Sequence, residues 1–101
     1  MTDYSWVVTK DHTAEPGDPA GTNMNAIGML GPRGVTKTAE EITTKGIPFR
    51  MLDDDNELYY EGFYLGPDDE TLFAPLDDFG TPNAGAAIIQ YKNKYGRFED
   101  I

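Results

Sequence analysis

The sequence contains no cysteine. Disulfides, thiolate zinc sites and a catalytic thiol are excluded at once. Histidine and serine occur once each, as His12 and Ser5. A Ser-His-Asp arrangement would need both, and neither stands in a nucleophile-elbow context. No apolar run approaches the roughly 18 residues needed to cross a bilayer. The N-terminal "MTDYSWVVTKDH" has no basic region followed by an apolar stretch, so a secretory signal is not expected. A cytoplasmic protein without a membrane partner is the expectation.

Basic residues are scarce, with 8 Lys and Arg against 18 Asp and Glu and a formal net charge of −10. The imbalance is local. Residues 1–50 carry five basic and six acidic side chains, whereas 51–101 carry three and twelve. Between Asp53 and Asp78 stand ten acids and no Lys or Arg. Phosphate neutralisation needs the opposite sign, so direct nucleic-acid binding is not expected. What is present is 39% apolar residues and twelve aromatics in 101 residues, enough for one small core and one domain, 1–101.

The pattern of residues predicts an α+β fold: an antiparallel β-sheet meander of four to six strands with one short helix. "DYSWVVTK" (3–10) is β-branched and aromatic and reads as a strand. Residues 11–23 are turn-rich and read as a long mobile loop, followed by a short returning strand over 24–30. Thr38 with Glu41 three positions on forms a capping-box signature, and Glu40, Glu41 and Lys45 suit the helix dipole. Gly46 is expected to end that helix in a left-handed conformation, with Pro48 blocking continuation. Strands at 47–52 and 58–65 flank a turn at 53–57, with Asn56 as its left-handed residue. A turn at 66–70, a strand at 71–76 and a last strand at 86–92 complete the meander, and 93–101 trails off. Strand 58–65 carries aromatics on both faces, which requires its second face to be covered or offered to a partner.

"FAPLDDFGTPNAGAA" (73–87) raises the question of a site. Its Gly, Pro and Asn residues suit a corner anchored by an inward Phe79. In a meander, alternate turns share one end of the sheet, so 53–57 and 77–85 should lie about 10 Å apart. The expected acidic rim is Asp53, Asp54, Asp55, Glu57, Asp77 and Asp78, with Asp77 and Asp78 exposed. Tyr59, Tyr60 and Tyr64 are the aromatic candidates beside it.

Other motifs fail on inspection. "DDDNELYYEGFY" places Leu58 and Tyr64 where a calcium loop needs Gly and a bidentate Glu, so no metal ligand is assigned. "GPRGVTKT" puts Thr36 before Lys37 where a phosphate loop needs Gly. No cofactor is implied.

The stretches "FRMLDDDNELYYEGFYLG" and "FAPLDDFGTPNAGAAIIQY" resemble a group of small uncharacterised acidic proteins of actinobacteria and their phages or plasmids. The resemblance spans roughly 47–91 and implies a compact α+β fold and a mobile-element origin. It carries no activity and no catalytic residue. The function expected from these features is a non-enzymatic protein that binds and modulates a basic host protein. The alternative is a small-molecule or metal-ion binding domain. The two differ in shape: a ligand binder needs a concave pocket, a protein binder an exposed patch.

Overall fold

The computed structural model describes residues 4–12, 28–32 and 34–101. The loop expected over 11–23 lies outside the described residues from 13 onward, as do 24–27 of the returning strand. Among the described residues six strands form one sheet: β1 (Ser5–Asp11), β2 (Leu30–Gly31), β3 (Ile47–Leu52), β4 (Leu58–Leu65), β5 (Ile88–Lys92) and β6 (Phe98–Asp100). Their order is β2-β1-β4-β3-β5-β6, and each neighbouring pair is antiparallel. The fold is α+β, as the pattern of residues predicts.

The β3–β4 hairpin is the centre of the sheet, and its local chemistry explains its register. Asp53 Oδ1 accepts the backbone N–H groups of Asp55 and Glu57, both at 2.8 Å. Asn56 takes the left-handed conformation with φ 65°, which its short polar side chain tolerates. The same device recurs where the sequence was expected to trail off. Asn93 Oδ1 accepts from Tyr95 and Arg97 at 2.9 and 3.1 Å. That turn returns the chain as β6, which pairs with β5.

Helix α1 (Ala39–Lys45) starts as expected, with Thr38 Oγ1 accepting from the Glu41 N–H at 3.1 Å. Its end differs. Gly46 is extended, with φ −86° and ψ 177°. The glycine is required by space instead of handedness: a Cβ there would lie 2.4 Å from the Ile42 oxygen and 2.7 Å from the Tyr64 oxygen.

The strand expected at 71–76 is also corrected. The chain instead coils through a 3₁₀ turn (Glu70–Phe73), a π turn (Leu76–Gly80) and α2 (Thr81–Ala84). Asp69 caps the start, accepting the Thr71 N–H at 2.9 Å. These contacts, with the Thr71 hydroxyl first, hold the Asp69 carboxyl below its ordinary pKa. Gly85 closes α2 in the left-handed region, φ 72°. The apolar residues Leu72, Leu76 and Phe79 recur at helical spacing, and Leu76 and Phe79 are buried.

This helical stretch carries the chain from the end of β4 to the start of β5. It crosses one face of the sheet, where Trp6, Val8, Phe49, Met51, Tyr60 and Tyr64 meet Leu76 and Phe79 in the core. Phe79 sits between Trp6 and Tyr60, with ring centroids 5.6 and 5.0 Å away. Tyr91 donates to the Leu72 carbonyl at 2.6 Å. On the opposite face α1 packs across β1 and β4, with Ile42 and Val7 buried.

Candidate functional site

The six acids expected on one rim fall into two groups. Asp53, Asp54, Asp55 and Glu57 occupy the β3–β4 turn. Asp77 and Asp78 lie on the helical stretch, beside β1. Tyr4 donates to Asp78 Oδ2 at 3.0 Å, and Trp6 Nε1 donates to the same oxygen at 3.3 Å. Tyr4 precedes Ser5, the partner of Leu65, so Asp78 stands towards the sheet end opposite the hairpin. The shared rim is therefore corrected. Its premise was a strand at 71–76; a helical stretch travels back over the sheet and leaves Asp77 and Asp78 partway. Only the last part of the corner reaches the hairpin end, where the Ala87 N–H donates to the Leu52 carbonyl at 2.9 Å. Asp77 and Asp78 are exposed and Phe79 is buried.

In the hairpin the carboxylates of Asp53, Asp54 and Asp55 have oxygens within 4.8 Å of one another. Both oxygens of Asp53 already serve the turn, Oδ1 as above and Oδ2 by accepting from Tyr59 at 3.3 Å. That leaves the exposed carboxylates of Asp54 and Asp55, short of the six to eight oxygens a calcium ion takes. Desolvation, and then the negative charge of Asp53, raise the Tyr59 pKa.

The aromatic candidates also separate. Tyr59 is half-buried at the surface, whereas Tyr60 and Tyr64 are 4% and 0% exposed. Both belong to the core beneath the helical stretch and offer no surface to a partner. The Tyr64 hydroxyl donates to the Pro67 carbonyl at 2.7 Å and meets the Thr71 hydroxyl. The second face of β4 is covered by α1 near Val7. Beyond α1 it opens as a shallow groove of about 240 Å³ lined by Lys10, Glu61, Phe63, Lys92 and Phe98. Arg50 closes part of that face, donating to Gln90 at 2.6 Å and lying 4.5 Å from the Phe98 ring centroid.

Ser5 and His12 sit at opposite ends of β1. Ser5 is buried, and His12 pairs with Glu61 at 2.8 Å. They form no nucleophile–base pair.

One concavity was not legible in the sequence. It is a cleft of about 560 Å³ between the β2 edge and the helical stretch. It is lined by the buried Trp6 and Phe79, by Met29 and Leu30, and by Asp78. Met29 and Leu30 are 48% and 37% exposed. The Tyr4 hydroxyl at its rim is pushed up to a pKa of about 12, by desolvation first and then by its bond to Asp78. Nothing in the chain near Trp6 marks it as part of a cleft, because the site exists only once residues 6, 29–31 and 78 are brought together.

No family model, curated protein or solved structure matches this chain. Among the described residues no helix is long and apolar enough to cross a membrane.

Proposed function

We propose that this chain is a non-enzymatic binding protein that docks onto a basic polypeptide partner. The observation that carries the reading is the charge layout. The ten acids between Asp53 and Asp78 have no cation among them in sequence. Asp54, Asp55, Asp68, Asp69, Glu70, Asp77 and Asp78 are all exposed. Phe73, between Glu70 and Asp77 in sequence, is 42% exposed. Acidic charge spread over these separate groups attracts a basic partner from a distance, and Phe73 offers an apolar contact at close range. In this reading the partner is a cytoplasmic host protein and the chain a modulator of it, encoded by a phage or plasmid. The Trp6 cleft favours a second reading, in which a small molecule is the ligand.

Affinity capture with the full chain from its native host, followed by binding kinetics against the captured partner, tests the proposal. A basic partner whose association slows steeply with salt is the expected result. Association indifferent to salt, or capture of a stoichiometric small molecule with no protein, would sink it.

A further inference from the structure

We propose that the cleft between β2 and Asp78 seats a lysine or arginine side chain of the basic partner, and so anchors it. The inference rests on the binding-protein reading above and deepens it.

Three observations converge. First, Asp78 is oriented. Its Oδ2 accepts from both Tyr4 and Trp6, at 3.0 and 3.3 Å, and Oδ1 accepts no hydrogen bond among the described residues. Second, no cation among the described residues neutralises it. The ion pairs found there, His12–Glu61 and Lys37–Glu41, lie elsewhere, and Asp77 adds a second exposed charge beside it. Third, the same cleft is lined by Met29 and Leu30, apolar side chains that are 48% and 37% exposed.

A lysine or arginine side chain has the same two-part chemistry: an apolar stem and a cationic head. The stem lies along Met29 and Leu30, and the head reaches Asp78 Oδ1. A purely apolar occupant would take water from the carboxylate and return no hydrogen bond. A bare metal ion would leave Met29 and Leu30 wet. Methionine is unbranched and adapts to either stem.

Trp6 is the sole tryptophan, so its emission reports on this cleft alone. The probe is a short peptide of lysine and serine, labelled with fluorescein for anisotropy and unlabelled for emission, added to the full chain at low salt. The expected result is a rise in anisotropy and a change in Trp6 emission along one titration curve. Asp78→Asn should weaken binding about tenfold, the loss of one charge pair, and abolish the emission change. Leu30→Ser, at an exposed edge position, should weaken it several-fold and serves if Asp78→Asn does not fold. Glu40→Gln, on α1, leaves both signals in place. If anisotropy rises while Trp6 emission and Asp78→Asn affinity stay unchanged, the anchor is wrong and the binding-protein reading stands. If no peptide binds even at low salt, both fall. If n-butylammonium alone saturates the emission change as tightly as the peptide, the cleft is a small-molecule site and the anchor is overturned.

Discussion

Trp6 Nε1 donates to Asp78 Oδ2 at 3.3 Å across 72 positions of sequence. The bond ties the helical stretch to β1 and fixes where the stretch comes to rest. Asp78→Ala should therefore lower stability by about 1 kcal/mol, less than a buried charged hydrogen bond because Asp78 is exposed. Trp6 emission should shift in the native state. Urea denaturation followed by that emission checks both, and an unchanged native spectrum would show that the contact does not persist in solution.

Tyr4 and Tyr91 should make the fold weaken at alkaline pH. Tyr4 is pushed up to about 12 and the buried Tyr91 further still, chiefly by desolvation. An unfolded tyrosine loses its proton near pH 10. Below that value the contribution to stability is complete. Above it the unfolded chain sheds protons that the folded one retains, so stability declines as pH climbs through the raised values. Tyr91→Phe should make that decline shallower. At neutral pH it should cost about 1 kcal/mol, because the Leu72 carbonyl loses its donor. Denaturation midpoints at neutral and alkaline pH separate the two effects.

Thr38→Ala should cost about 1 kcal/mol, the usual worth of an N-cap, and Thr38→Ser should restore most of it. The motivation is the 3.1 Å bond from the Glu41 N–H. Equal denaturation midpoints for wild type and alanine would remove Thr38 from that role.

Two glycines make opposite demands. At Gly85 φ is 72° and a Cβ would meet nothing within 4 Å. Alanine there costs about 1 kcal/mol of backbone strain, and asparagine less. At Gly46 the backbone suits any residue, but a Cβ runs into the Ile42 and Tyr64 oxygens. Both obstacles are main chain, so neither can swing aside. Gly46→Ala should cost about 2 kcal/mol or more, and Gly46→Asn should bring no relief. Thermal melts of the four variants test the contrast.

Neutralising Asp54 and Asp55 to asparagine should leave stability within about 0.5 kcal/mol of wild type, as at most exposed positions. Association with a basic partner should slow, and its salt dependence should flatten. Stopped-flow rates at two ionic strengths give the answer. Asp53 is excluded from that set because its carboxylate shapes the turn.

Where structure was decided locally, the sequence was readable. The Thr38 cap, the Asn56 turn and the β3–β4 pair each depend on residues within a few positions of one another. Residues 71–76 misled because Thr71, Leu72 and Phe73 suit a strand and Pro75 suits a strand end. The competing signal was the spacing of Leu72, Leu76 and Phe79, with Asp69 ahead of them as a cap. Residues 93–101 held the Asn93 and Gly96 turn signals that close the β5–β6 hairpin. The acidic character of the candidate surface was legible because exposed charge needs no partner. Its division into two groups was not, since it follows from that one misread segment. The burial of Tyr60 and Tyr64 depends on which face the helical stretch covers, a question the alternation of β4 leaves open.

The strand order β2-β1-β4-β3-β5-β6 has a kinetic consequence. The β3–β4 hairpin closes over a short turn, so it forms at small loop-closure cost. Every later addition uses it as a template. β1 joins on the β4 side from far upstream, and β5 joins on the β3 side only after the chain has passed over the sheet. The hairpin is thus the expected folding nucleus. Substitutions that weaken it should slow folding, whereas those in β6, the last strand in the row, should chiefly hasten unfolding.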